Sequence, residues 1–250
     1  MKVCIVVPHY DHVEQFERYL PKLGASGLPL IVVDDASPPA AAAALADLLG
    51  AGDLEATLIR HEQNQGKGGT VMTGLREALA AGYTHALQVD ADGQHDANDI
   101  EGLVDAATNH PNSIICGAPV FDGSQSTLRY YARYLTLFLT WFETLSTEIR
   151  DAMCGFRLYP LARTVAILDR ARLGRRMAFD PELLVRAVWA GVPLRYVPVH
   201  VAYPEGGRSH FHYFSDNVEI SWMHTRLLIG MLLRLPMLLG RKLFGGRTKS

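Results

Sequence analysis

The stretch ALQVDADGQHD, Ala86 to Asp96, runs from an apolar segment straight into two carboxylates set two residues apart. Aspartate is poor in strands and costly to bury unless it is paired or bound to a metal. In extended backbone, side chains two apart point to the same side. Asp90 and Asp92 can therefore converge on one cation at the end of a strand. Carboxylate oxygens suit Mg²⁺ or Mn²⁺, and Mg²⁺ is commonly held by one or two carboxylates plus substrate phosphates. The competing reading is an Asp turn with a solvated second aspartate, and the spacing alone does not choose between them.

The sequence on either side supplies the frame. Val3 to Val7 is a β-branched apolar run, Val13 to Leu23 has helical spacing, and Leu30 to Val33 is a second apolar run ending in Asp34-Asp35. Ala40 to Leu49 reads as a helix, Ala56 to Glu62 as a strand, Gly68 to Gly82 as a helix and His85 to Asp90 as a fourth strand. Strands alternating with helices predict a parallel sheet covered on both faces. Ligands of such sheets sit at the carboxyl ends of the strands. Three of these ends carry polar groups: Pro8-His9-Tyr10, Asp34-Asp35 and Asp90-Ala91-Asp92. Further on, the pattern predicts helices over 100–108, 127–145 and 181–190, and strands over 113–120 and 194–203.

Composition narrows the function class. The chain has 250 residues, 48% of them apolar, which is enough for one large core. A net charge of −2 argues against a general nucleic-acid binder. Three cysteines in a chain of this size do not make a disulfide framework and point to a reduced, cytosolic setting. The apolar run at the start is too short for a secretory signal, and no run of about 18 apolar residues predicts a spanning helix.

The ordered set of motifs resembles the family-2 glycosyltransferases of the GT-A fold. Pro8-His9-Tyr10, the VDDAS of Val33 to Ser37, the NQGKG of Asn64 to Gly68 and Asp90-Ala91-Asp92 follow one another as they do there. DADGQH, Asp90 to His95, and CGFRLY, Cys154 to Tyr159, are similar to segments of the dolichyl-phosphate mannose synthases and their bacterial relatives. The resemblance spans roughly residues 1 to 210. It implies a mostly parallel, Rossmann-like sheet flanked by helices. A nucleotide-sugar half would cover residues 1–98, an acceptor half 99–215, and an amphipathic helical tail 216–250.

It also implies a metal-dependent, inverting glycosyltransferase using a UDP- or GDP-linked sugar. Pro8, Tyr10, Asp35, Gly66, Lys67 and Asp90 would bind the nucleotide sugar, with Asp35 on the base. Asp90, Asp92 and Gln94 would hold Mg²⁺ or Mn²⁺. Arg208, in YPEGGRSHF, would close over the diphosphate, with His210 near the place of a second cation. Asp151 is the candidate general base, or positions the acceptor.

Arg129 matches a basic residue that holds the acceptor phosphate in the polyprenyl-phosphate enzymes, and Arg133 lies one turn further on. A second expected arginine is replaced by Pro119. From residue 222 onward, apolar runs alternate with Arg226, Arg234, Arg241, Lys242, Arg247 and Lys249. Such a tail predicts either a helix in the membrane interface, basic side toward anionic lipid, or a helix packed on the domain.

The expected acceptor is therefore lipid-linked. The expected location is cytoplasmic, at the inner face of the cytoplasmic membrane. Transfer to a soluble acceptor and sugar nucleotidyl transfer are the alternatives. A dinucleotide-dependent dehydrogenase is excluded, because no G-x-G-x-x-G follows the first strand.

Overall fold

The computed structural model describes residues 1–51, 54–121, 127–201 and 213–244. The first half is built as β1 (Val3–His9), α1 (Val13–Gly24), β2 (Leu30–Asp34), α2 (Pro39–Gly50), β3 (Ala56–Arg60), α3 (Gly66–Ala80) and β4 (His85–Gln88). The second half comprises α4 (Ile100–Asn109), β5 (Ile114–Phe121), α5 (Thr127–Thr144), β6 (Arg157–Pro160), α6 (Leu161–Arg170), α7 (Phe179–Trp189), β7 (Leu194–Val201) and α8 (Tyr213–Phe244).

The strands form one seven-stranded sheet in the order β3-β2-β1-β4-β6-β5-β7. β6 runs antiparallel to both of its neighbours, and the remaining pairs are parallel. β1, β2 and β4 are buried almost throughout, as strands covered on both faces must be. Alternation along β1 divides the core. Cys4 and Val6 pack with residues of α3, α6, α7 and α8, whereas Ile5 and Val7 pack with α1 and α4. The parallel register sets the carboxyl ends of β1, β2 and β4 side by side along one edge.

α6, which is not among the helices expected above, has helical hydrophobic spacing, with Leu161, Val165 and Leu168 buried, whereas β6 is not legible in the hydrophobic pattern. Four strand residues are too few to show a period, and Arg157 interrupts the apolar run. That arginine is nonetheless fully buried. Its guanidinium donates to the carbonyls of Asp180 and Ala152, both at 2.9 Å. The fourth strand also ends two residues earlier than expected, so Asp90 and Asp92 stand on the turn that follows it.

Of the two arrangements expected for the tail, the packed helix is present. α8 packs on the domain, burying Met223, Leu227, Met231 and Leu238 in the core. Three of its basic residues also contact the domain. Arg226 pairs with the fully buried Glu182 at 3.1 Å, Arg234 lies 4.7 Å over the Trp189 ring, and Arg241 donates to the Trp189 carbonyl at 2.8 Å. These contacts answer a buried carboxylate and the open C-terminus of α7, which need cationic or donor partners. The outward side also carries large apolar residues, with Trp222, Ile229, Leu232, Leu233 and Leu243 exposed. No helix among the described residues is long and apolar enough to cross a membrane. Cys4, Cys116 and Cys154 are free and buried.

Candidate active site

The site assembles at the carboxyl ends of β1, β2 and β4, where the chain leaves the sheet through polar turns. After β2, Asp34 and Asp35 point to different partners. Asp34 accepts hydrogen bonds from the hydroxyl and backbone N–H of Ser37 and lies 3.6 Å from the Arg60 guanidinium. These bonds shape the turn, which holds Ala36 at φ +62, a conformation unusual for a residue other than glycine.

Asp35 reaches across to the start of α3. Its Oδ1 accepts from the Gln65 N–H at 2.8 Å and its Oδ2 from the Gly66 N–H at 2.7 Å. His61 Nδ1 lies 2.8 Å from Oδ1. Asp35 thus caps the first turn of α3 and binds it to β2. Gly66 has φ +81, and a Cβ there would sit 2.7 Å from the Arg175 carbonyl oxygen. No other residue fits both demands.

The turn after Gly66 delivers Lys67. Its Nζ lies 2.7 Å from Asp90 Oδ2 and 3.5 Å from Asp180 Oδ2. Asp180 belongs to α7 and also takes the buried Arg157, 3.4 Å from its Oδ1. Two cations and two carboxylates therefore alternate from the core to the cleft: Arg157, Asp180, Lys67, Asp90. Burial works against the ionised form of Asp90, but the Lys67 ammonium outweighs it and lowers the pKa. Burial likewise opposes the Lys67 cation, and Asp90 and Asp180 together raise its pKa. The other oxygen of Asp90, Oδ1, is buried with no hydrogen-bond partner.

Asp92 has the opposite character. Burial, and then the charge of Asp90, push its carboxyl up to about 6. Its Oδ1 accepts from the Gln94 N–H at 3.1 Å. An orphaned carboxylate oxygen beside a second carboxylate that resists ionisation is an arrangement a divalent cation would relieve. Among the described residues, no three His, Cys, Asp or Glu side chains converge on one point. The donor set thus fits a cation that completes its coordination with phosphate oxygens and water. Asp90 and Asp92 supply the carboxylates, with Gln94 on the same turn.

Gly155 supplies the floor. A Cβ there would stand 2.8 Å from Gln88 Nε2, 2.9 Å from Lys67 Nζ and 3.4 Å from Asp90 Oδ2. Behind it, the Tyr159 hydroxyl donates to Gln88 Oε1 at 3.0 Å. His95 is buried and stacks on Phe156, ring centroids 4.7 Å apart, so it supports the turn from below. Burial lowers its pKa.

The two acceptor-side candidates meet. Arg133 of α5 lies 3.3 Å from Asp151 Oδ2. Asp151 Oδ1 accepts from the backbone N–H groups of Met153 and Cys154 at 2.9 and 2.6 Å. Pro8 and Tyr10 are half-buried at the end of β1. The Arg129 side chain, Arg208 and His210 lie outside the described residues.

Sequence reading did not assign roles to Asp180, Arg157, His61 or Gly155. For Gly155 and Arg157 the signal was present in CGFRLY. For Asp180 there was none, because its partner Lys67 lies more than a hundred residues away.

The comparisons bear on this architecture. The dolichyl-phosphate β-glucosyltransferase of Dictyostelium discoideum is 28% identical over 70% of this chain, which spans about half (54%) of that protein. The undecaprenyl-phosphate mannosyltransferase of Micrococcus luteus is 25% identical over 84% of this chain and 87% of its own length. The mouse dolichyl-phosphate β-glucosyltransferase is 31% identical over 83% and 69%.

Among solved structures, S. aureus TarS (residues 1–349) in complex with UDP-GlcNAc superposes with a TM-score of 0.64. It is 17% identical, over 93% of this chain and 67% of that one. The mannosyltransferase PcManGT of Pyrobaculum calidifontis, in complex with GDP-Man and Mn²⁺, superposes with a TM-score of 0.57 at 16% identity. That match covers all of this chain and 76% of the other. Both likenesses are to the GT-A fold. The model of glycosyl transferase family 2 matches residues 4–171, and the chain belongs to that family and is a glycosyltransferase.

Proposed function

We propose that the protein moves a sugar, with inversion, from a UDP- or GDP-linked donor to the phosphate of a polyprenyl phosphate at a membrane surface. One observation carries the donor side of this reading. Asp90 has an unpartnered buried oxygen, and beside it the Asp92 carboxyl is pushed up to about 6. The names of the relatives support the acceptor side, since three of them act on dolichyl or undecaprenyl phosphate.

Each side chain has a task in the reaction. Asp35 fixes the start of α3 and offers its one remaining lone pair, on Oδ2, to an N–H edge of the base, with Pro8 and Tyr10 beside it. Lys67, held by Asp90 and Asp180, presents its ammonium to the diphosphate. Asp90, Asp92 and Gln94 hold the divalent ion, which when bound neutralises charge growing on the leaving oxygen. Arg208 adds a second cation there.

At the acceptor, Arg133 and Arg129 hold the phosphate, and Asp151 keeps Arg133 in place. A phosphate oxygen is already anionic, so it attacks the anomeric carbon without a base. The bond from that carbon to the diphosphate breaks, and the nucleoside diphosphate leaves. Both oxygens of Asp151 are already engaged, which suits positioning better than proton abstraction. A hydroxyl-bearing lipid acceptor, with Asp151 as its base, is the second reading. It is favoured by Pro119, which stands where the polyprenyl-phosphate enzymes carry an arginine.

The test is transfer from labelled UDP- and GDP-sugars to undecaprenyl phosphate and, separately, to undecaprenol, with Mn²⁺ or EDTA. Solvent-extractable product formed from the phosphate alone, and only with metal, is expected. Product from the undecaprenol alone would replace the first reading with the second. Full activity in EDTA would remove the metal from both.

A further inference from the structure

On the sheet face opposite α1 and α4, a cavity of about 370 Å³ opens between α6, the end of α7 and the middle of α8. Four arginines line it, Arg163, Arg170, Arg186 and Arg234, and no acidic side chain does. We propose that this cavity is a binding site for a phosphate-bearing anion, separate from the donor site.

The charges do not cancel from within. Arg186 is matched by Glu182 at 2.7 Å, and Glu182 also serves Arg226. Arg163 has only the Asn112 carbonyl, at 3.5 Å, and Arg170 has no ion-pair partner among the described residues. Arg234 is spread over the Trp189 ring and donates to the Gly230 carbonyl at 3.0 Å. The neighbouring acid on α6, Asp169, is paired with Arg76 at 3.1 Å. Three guanidinium groups thus face one space without a carboxylate of their own. Planar guanidinium groups suit phosphate oxygens, which they bind two donors at a time.

The remaining walls say what kind of molecule carries the phosphate. Ile167, Val192 and Met237 are apolar. The Trp189 indole N–H is already given to the Glu143 carbonyl at 2.8 Å, leaving the ring as a flat wall. Next to Arg234 on α8 stand Leu232 and Leu233, the latter 77% exposed. A phosphate with an apolar appendage, the headgroup region of an anionic phospholipid, matches this pairing. A free phosphate ion shares the charged part alone.

The cavity is not an extension of the donor site. Asp180 and Trp189 stand at opposite ends of α7, about 14 Å apart at 1.5 Å per residue. The proposal rests on charge and shape and does not require the glycosyltransfer reading.

The experiment uses the full chain and its Arg163→Gln/Arg170→Gln variant, neither residue belonging to the catalytic cluster. One arm measures thermal stabilisation by inorganic phosphate against chloride at equal ionic strength. The other measures co-sedimentation with vesicles of phosphatidylglycerol and phosphatidylcholine, against phosphatidylcholine alone, in phosphate-free buffer. Each lost charge is expected to weaken binding about fivefold on anionic vesicles, with no change on phosphatidylcholine. A phosphate shift lost in the variant, without a vesicle effect, assigns the site to the free ion. A vesicle effect alone assigns it to lipid. Identical behaviour of the variant and the wild type in both arms overturns the proposal. So does an equal loss in an Arg18→Gln/Lys22→Gln control, whose charges lie on α1 across the sheet.

Discussion

Lys67 Nζ stands 2.7 Å from Asp90 Oδ2, so the cation of the α3 turn and the first carboxylate after β4 share one position in the cleft. The pair joins two motifs that lie well apart in the chain, and Asp180 fixes it from behind at 3.5 Å. An ammonium already on Asp90 favours the ionised carboxylate there.

Lys67→Ala would leave Asp90 without its counter-charge and Asp180 with Arg157 alone. Breaking a buried pair costs several kcal/mol, and the partial exposure here reduces that to about 1–3 kcal/mol. The loss should appear in urea unfolding with EDTA present and shrink when Mn²⁺ is added, while transfer falls by at least about tenfold. Equal destabilisation with and without Mn²⁺ would show that no cation comes to Asp90.

Asp92 gives a pH prediction with a definite sign. Its ordinary value is 3.8 and its folded value about 6. The stability it contributes is therefore complete below the lower value and is lost as pH rises through the higher one. Asp92→Asn should make the metal-free protein more stable at pH 8, by about 1–3 kcal/mol, and leave it unchanged near pH 4. It should abolish transfer at both. Metal affinity of the wild type should fall as pH drops below about 6, because a proton then competes for the carboxylate. Thermal melts in EDTA at the two pH values decide the matter. A less stable variant at pH 8 would mean that Asp92 is not strained by Asp90.

Gly155→Ala tests the cleft floor. Its Cβ would stand 2.9 Å from Lys67 Nζ and push that ammonium off Asp90. Transfer is expected to drop at least tenfold, roughly 1.4 kcal/mol, with stability changed far less than in Lys67→Ala. A fully active variant would mean that Lys67 can move away at no cost to the reaction.

Much of this site was legible in the sequence because its chemistry is carried by short local patterns. Asp34-Asp35, Asn64 to Gly68 and Asp90 to Asp92 each sit on a turn after a strand, and a parallel sheet gathers such turns at one edge. What could not be read are partners brought together by packing. Nothing in the order of residues joins Lys67 to Asp180, or Arg133 to Asp151. β6 was missed because Arg157 looks like a break in an apolar run, yet it is a core residue neutralised by Asp180. For a related reason the sequence left the basic residues of α8 open between facing lipid and packing on the domain. A sequence shows an arginine but not the buried glutamate or the helix end that claims it.

The membrane prediction follows from that packing. Removing the chain from Met223 onward should unfold the domain rather than release it from lipid. Met223 and Leu227 are fully buried, and Glu143 would lose its contact with His224 at 2.6 Å. The informative change is on the outward face. α5 and α8 pack side by side and both expose large apolar residues, Phe138 and Phe142 on one and Leu232 and Leu233 on the other. Soluble proteins seldom leave such surface uncovered, and a bilayer interface would cover it.

Leu232→Gln/Leu233→Gln should leave the melting temperature within about a degree or two, since neither side chain is packed. It should weaken sedimentation with neutral phosphatidylcholine vesicles by roughly tenfold or more, because each leucine contributes up to about 1.5–3 kcal/mol when taken out of water. Salt should not restore or abolish this part. Sugar transfer to a lipid acceptor should fall with it, while hydrolysis of the donor in solution stays unchanged. Wild-type sedimentation by the variant would place the lipid contact elsewhere and leave this face to a protein partner.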